Sequence, residues 1–431
     1  MTAEIAIMNK EAIALAADSA VTMGQEKGRK IFTSANKLFA FSKYYPVGIM
    51  VYGSASFMGI PWENIIKIYR NKSSEQKYDT LKKYADSFIS FLNNGNPLFP
   101  EDQQKNHFYG NTGGYFALIR KQIEEKVESV IKEEGKVTDT QTEQIIFDVI
   151  KEHYDKWEKT KVLPSIPKNH IKDIISKYED IINKAMEEVF EKLPISKDVT
   201  NQLKKIAGSL FAKSPEAISP PDISGVVIAG FGEKDTFPSL KSFDIEGIVN
   251  NKLKYKERLS WEINFENTAT IVPFAQREMV AAFMEGIDPY LQVQIEGYLS
   301  EIFDKYPEFI VESIEKFDDS EKQRLKQKLK EISNKIFKDY QKNVATYKRK
   351  HYVNPIIRVV SMLPKDELAA MAESLVSLTS FKRKVTMETE TVGGPIDVAV
   401  ISKGDGFIWI KRKHYFKAEL NPQFFSNYYR R

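Results

Sequence analysis

The chain has 431 residues, 42% of them hydrophobic, 28% charged and 12% aromatic, and it has no cysteine. That length allows two or three domains and the apolar content a substantial core, which excludes general disorder, while the missing cysteine excludes disulfides, zinc ribbons, iron–sulfur clusters and a cysteine nucleophile. With 63 basic and 59 acidic residues the net charge is only +4, so the chain has no nucleic-acid footprint.

In chain order, Ile5–Ile7 and Ala12–Ala17 are short apolar runs around Asn9-Lys10-Glu11, a hairpin pattern. Lys37–Ser42 and Val47–Tyr52 repeat it around Lys43-Tyr44-Tyr45-Pro46. Ser54 through Tyr69 is predicted helical, with Phe57, Ile65, Ile68 and Tyr69 as contacts and Pro61 tolerable only near the start. From Asn71 to Ser219 the apolar spacing predicts long, charged helices over Ile119–Glu134, Thr142–Glu158 and Ile171–Leu193. Strand texture returns at Gly225–Gly230 and Ser239–Phe243. Helices are predicted over Ala275–Met284, the block Leu291–Tyr347 and Glu367–Leu378, before strands at Pro395–Ser402 and Gly406–Lys411.

Strands therefore fall in three separated blocks, none of which could bury a sheet face alone. The organisation expected is one discontinuous core from residues 1–70, 220–290 and 350–415. Helical insertions occupy 71–219 and 291–349, and a tail occupies 416–431. No stretch approaches the ~18–20 uninterrupted apolar residues of a membrane span. Glu4 stands where a signal peptide would be basic. A soluble, cytoplasmic protein with no membrane or nucleic-acid partner is expected.

The histidines, His107, His153, His170, His351 and His414, share no metal-ligand spacing, so no metal is expected. Gly113-Gly114 and Gly393-Gly394 lack a phosphate-binding frame, and no cofactor is expected. The basic runs Lys348-Arg349-Lys350 and Arg430-Arg431 read as solvated ends. Thr2 is different. Removal of Met1 would leave its hydroxyl beside a free α-amine whose pKa near ~8 suits a base at neutral pH.

Thr2-Ala3-Glu4-Ile5-Ala6, followed by Ala14-Leu15-Ala16-Ala17-Asp18-Ser19-Ala20-Val21-Thr22, resembles the opening of proteasome β subunits and their bacterial relatives. Thr2 and Asp18 keep the family's separation. Lys37 in Asn36-Lys37-Leu38-Phe39 matches the family's catalytic lysine, and Lys30 in Lys30-Ile31-Phe32 is the competing position. Gly48 through Ser54 is similar to the strand that carries the oxyanion-hole donor, which falls on Tyr52 or Gly53, with Met50 on the substrate side. Val227–Gly232 and Phe243–Gly247 look like the central hairpin, whose second strand ends in an Asp…Gly turn. Thr391–Val398 is similar to the glycine turn before the last strands.

This resemblance implies an α+β fold, the four-layer αββα N-terminal-nucleophile hydrolase sandwich of two antiparallel sheets, with large helical insertions. It implies a threonine hydrolase that cleaves amide, most of all peptide, bonds through an acyl ester on Thr2, with Lys37 stabilising the alkoxide and Asp18 holding Lys37. The substrate would be a peptide or protein, and a homo-oligomer and an activating or unfolding partner stay open. There are departures. Ile271–Gln276 has no auxiliary serine, Thr389 and Val392 replace an auxiliary Asp-x-x-Ser, and insertions of this bulk are foreign to proteasome rings. Two other readings stand beside the peptidase: a catalytically idle proteasome-fold scaffold or binding protein, and a small-molecule amidase.

Overall fold

The computed structural model describes residues 3–23, 30–42, 44–73, 76–93, 95, 97–191, 193–215, 223–386 and 392–429. Thr2, Lys43, Thr389 and Thr391 lie outside the described residues. The fold is mixed α+β, with antiparallel sheets and many helices, and no described helix is long and apolar enough to cross a membrane.

Ten strands build two five-stranded sheets among the described residues. Along the chain they are β1 (Ala3–Asn9), β2 (Ala12–Ala17), β3 (Leu38–Ala40), β4 (Val47–Gly53), β5 (Ser224–Gly230), β6 (Ser239–Val249), β7 (Lys252–Glu262), β8 (Ala269–Ala275), β9 (Asp397–Ser402) and β10 (Gly406–Lys411). The order is β8-β1-β2-β9-β10 in one sheet and β7-β6-β5-β4-β3 in the other. Each sheet belongs to its own compact unit: residues 1–38, 236–239 and 262–431 form one, and 39–235 with 240–261 the other.

In the first unit every pairing of the sheet is antiparallel, and β1 runs between β8 and β2. The β1–β2 turn is pinned by Asn9, whose Oδ1 accepts from the Glu11 and Ala12 N–H groups at 2.9 and 3.1 Å. Its amide donates to the Val360 and Leu363 carbonyls, tying the turn to the end of the helix Asn354–Val360. Alternation puts Ala3, Ile5 and Ile7 with Ala12, Ala14 and Ala16 on one face. There the helix Lys365–Val385 packs through Leu368, Ala372, Leu375 and Val376. Alanine at every second position of β2 lets that helix approach closely. Glu4, Ala6 and Met8 on the opposite face of β1 are buried too.

In the second unit the helices Trp62–Lys72 and Leu81–Asn93 cover β4 and β5. Residues 101–209 form a further helical block with its own apolar core, built around Phe108, Phe116, Ile150, Trp157 and Leu203.

Several local expectations change. The helix expected from Ser54 starts at Trp62, capped by Pro61, because Met58 and Gly59 at φ 49° and 84° turn the chain into a small ribbon and Phe57 stacks on Trp62 at 5.1 Å. The expected helix Ile171–Leu193 is two helices, His170–Lys177 and Glu179–Phe190. They break at Tyr178, which is buried against Phe108 with its hydroxyl on Glu101. Ala275 ends a strand, and its helix begins at Glu278. The Asp…Gly turn expected at Gly247 lies inside β6. The hairpin turns instead at Asn250-Asn251, both at positive φ as a two-residue turn requires.

Candidate active site

Asp18 lies just past the end of β2 and is fully buried. It continues the β1–β2 pairing, its N–H donating to the Ala3 carbonyl at 3.1 Å. The Ala3 N–H returns to Asp18 Oδ1 at 3.0 Å, and Lys37 Nζ reaches the same oxygen at 2.6 Å. The other carboxylate oxygen accepts from the Ala20 N–H at 3.1 Å and the Gly393 N–H at 2.9 Å. Four donors on one buried carboxylate satisfy it fully, which is the condition for keeping a charge in a protein interior.

Three segments converge here. Ser19 N–H donates to the Gly393 carbonyl, Ser19 Oγ donates to the Pro395 carbonyl, and Ala35 N–H donates to the Ser19 carbonyl. Gly394, at φ +79°, passes so close to Thr33 that a Cβ would sit 2.7 Å from the Thr33 Cβ, so this crossing needs glycine. The crossing fixes the run Thr33–Lys37 and thereby aims Lys37 at Asp18. Lys30 is exposed, on a ribbon strand Lys30–Phe32 paired with Val21–Met23. Of the two candidate lysines, Lys37 is the one brought to Asp18.

A second acid shares this interior. Glu4 on β1 is buried, and neither of its carboxyl oxygens has a hydrogen-bond partner among the described residues. Burial drives its pKa up to about 8 against the opposing pull of Lys37, with Asp18 adding a smaller upward push. Burial also lowers the Lys37 pKa; Asp18 and Glu4 oppose that, and Lys413 adds to it. Lys413 itself pairs with buried Asp397 at the start of β9. The interior thus holds two carboxyl groups around Lys37, and among the described residues only one of them is hydrogen-bonded.

Beside β1, Ala275 ends β8 opposite Ala3 at φ +60°, an uncommon conformation for alanine. The buried Gln276 next to it accepts from Arg383 Nε at 2.8 Å, and Arg383 pairs with Glu278. Sequence reading passed over Glu4, Gln276, Arg383 and the Asp397–Lys413 pair. Glu4, the lone acid in an apolar strand, reads locally as a solvent-facing position.

Met50, Tyr52 and Gly53, expected to serve the oxyanion and substrate, lie on β4 in the other unit. There Met50 faces Val227, Tyr52 faces Gly225 and Gly53 faces Ser224 in the β4–β5 register. The Tyr52 ring lies over Gly225, where a Cβ would be 2.0 Å from the ring. Gly53 ends the strand, exposed and at φ +83°, and a Cβ there would come within 2.3 Å of the Ile223 carbonyl oxygen. Of the two candidate donor positions, Gly53 is the one whose backbone demands glycine.

No group of three or more acidic or histidine side chains among the described residues could hold a metal ion. No protein-family model matches the chain, and no curated protein matches it.

Proposed function

We propose that this chain is an N-terminal threonine hydrolase of the proteasome type, with the four-layer αββα architecture of that family, and that it cleaves amide bonds of peptides after processing exposes Thr2. One observation carries the reading: Asp18 grips the N–H of Ala3, the residue after Thr2, and the ammonium of Lys37 through a single buried oxygen. A nucleophile that begins a chain has one backbone connection to hold it. The hydrogen bond at Ala3 fixes that connection, and the Lys37 charge is placed beside it.

The chemistry follows from these groups. The Thr2 hydroxyl oxygen attacks the scissile carbonyl carbon while its proton passes to the free α-amine. Lys37 stabilises the alkoxide character that develops on Thr2. Collapse of the tetrahedral adduct breaks the C–N bond, and the leaving amine takes the proton back from the α-ammonium. Water, deprotonated by the same amine, then attacks the ester carbon; the C–O bond to Thr2 breaks and the α-ammonium returns its proton to the Thr2 oxygen.

A catalytically idle scaffold is the second reading, and the lack of an auxiliary serine in Ile271–Gln276 favours it. Intact mass before and after incubation with a peptide epoxyketone separates the two, since that warhead needs a hydroxyl and an adjacent free amine together. The hydrolase reading expects a chain starting at Thr2 that gains one adduct, lost in Thr2→Ala. A chain that keeps residues before Thr2 and gains no adduct would sink it and leave the scaffold.

A further inference from the structure

The helical block 101–209 buries most of its large apolar residues, but the hairpin formed by Pro289–Glu312 and Asp319–Lys348 does not. These two helices run antiparallel, since Glu308 pairs with Lys326, Asp304 with Lys330, and Gln341 donates to Glu296. The buried and half-buried positions include Leu299, Phe303, Pro307 and Val311 on the first helix and Ser333 and Phe337 on the second, with the Phe303 and Phe337 rings 5.8 Å apart.

Next to that packed stripe the first helix carries another. Leu291, Ile295, Tyr298, Ile302, Tyr306 and Phe309 recur at three- and four-residue steps, and each is at least 37% exposed. The second helix does the same with half-buried Leu325 and Leu329 and exposed Ile332 and Ile336. At 3.6 residues per turn each bare stripe lies about 100° round from its packed stripe. Because the helices are antiparallel, both offsets turn to the same side. The result is one continuous apolar face two helices wide, larger than the scattered apolar residues normal on a monomer surface.

Charge says what fits this face. The first helix has five acidic residues and one lysine, and the second has nine basic and four acidic residues. On the outer flank of the bare stripe the first helix places Glu301 and Glu312, while Glu308 is taken by Lys326 and Lys330 of its own hairpin. The second places Arg324, Lys328, Lys335 and Lys342 on its own outer flank, all exposed and without an ion pair among the described residues. A two-fold axis parallel to the helices lays the acidic helix of one copy over the basic helix of the other, antiparallel. That level-matches Glu312 with the partner copy's arginine at the same height as its own Arg324, and likewise Glu301 with Lys335. The face is complementary to itself.

We propose that the hairpin 289–348 is a self-association module, in which two copies of this chain close their bare faces into an antiparallel four-helix bundle with acidic helix over basic helix. This stands independently of the hydrolase reading. Sedimentation equilibrium on the full chain at micromolar concentration should give an even-numbered multiple of the 49.5 kDa protomer. Ile302→Lys should halve the associated mass with an unchanged circular-dichroism spectrum. Glu301→Lys with Glu312→Lys should weaken association at least tenfold, and adding Arg324→Glu with Lys335→Glu should restore it. A monomer throughout that range, or a mass indifferent to Ile302→Lys, would overturn the module. Disruption by Ile302→Lys without rescue by the charge swap would overturn the acidic-over-basic pairing, and binding of neutral phosphatidylcholine vesicles by the monomer would assign the face to lipid instead.

Discussion

The two units each bury a lysine against acid, and they do so differently. In the second unit Lys254 on β7 pairs with Glu246 on β6, and its remaining donor capacity goes to the Leu210 carbonyl at 2.7 Å. Burial lowers the Lys254 pKa and raises that of Glu246, each opposed by the other's charge. One base meets one acid, and the lysine ties a helix end to the sheet. In the first unit Lys37 meets two acids, and Asp18 is held by three backbone N–H groups besides the lysine, while Glu4 is held by none among the described residues. The first arrangement closes on itself. The second has an acid to spare, beside the N-terminal strand.

The contrast is sharpest in lysine removal. Lys254→Met strands Glu246 in the interior, and we expect a loss of about 3–5 kcal/mol in urea unfolding, with epoxyketone labelling of the residual folded protein unchanged. Lys37→Met leaves Asp18 its three N–H donors, so the expected stability loss is smaller, about 1–3 kcal/mol, while labelling falls at least ~100-fold. If the two variants lose labelling in equal measure, the first-unit lysine has no special role.

Glu4→Gln probes the spare acid. With a native pKa of about 8 against 4.5 for the free side chain, the folded protein keeps a proton on Glu4 that the unfolded chain gives up between those values. Its contribution to stability is therefore fully present below about 4.5 and is lost as pH rises through about 8. Urea midpoints at pH 5 and pH 8 should show the native protein weakening by on the order of a few kcal/mol, and the Gln variant should lack that part of the slope. Equal slopes would mean that Glu4 is paired. The smallest effect is expected at Arg258, whose 3.2 Å contact with Asp244 joins the same two strands as Lys254–Glu246 but at the surface. Arg258→Ala should change stability by no more than ~1 kcal/mol, and a larger loss would show that position on these strands, not burial, sets the cost.

Much of the first sheet could be read directly. The apolar runs that define β1 and β2, the Asn9 turn, and Gly406–Lys411 after a Lys-Gly-Asp turn all rest on local patterns of period and turn chemistry. Asp18 and Lys37 were singled out only by the resemblance to proteasome β subunits, which left Lys30 as a competitor. Glu4 was not, because a single acid in a strand ordinarily marks a solvent face, and only packing on both faces of β1 makes it a buried one. The break at Tyr178 escaped for a similar reason: no glycine or proline signals it, and it exists because Phe108 and Glu101 hold that side chain from another helix. The Lys254–Glu246 pair depended on knowing that the hairpin turns at Asn250-Asn251 and not at Gly247.

By itself, then, the sequence marked β1 to β5, the start of β6, β9 and β10 and several of the long helices, but not β7 or β8, and it showed that Asp18 and Lys37 follow and precede apolar strands near the N-terminus. Those features depend on residues within a few positions of each other, where periodicity and turn geometry act directly. Tertiary structure alone decided that Lys37 and not Lys30 lies on Asp18, that Gly393 supplies an N–H to the same carboxylate from 375 positions away, that Glu4 is buried without a hydrogen-bond partner among the described residues, and that the 289–348 hairpin keeps a bare apolar face. Each of these depends on which distant surfaces exclude water from a side chain, and burial of that kind has no local signature in the chain.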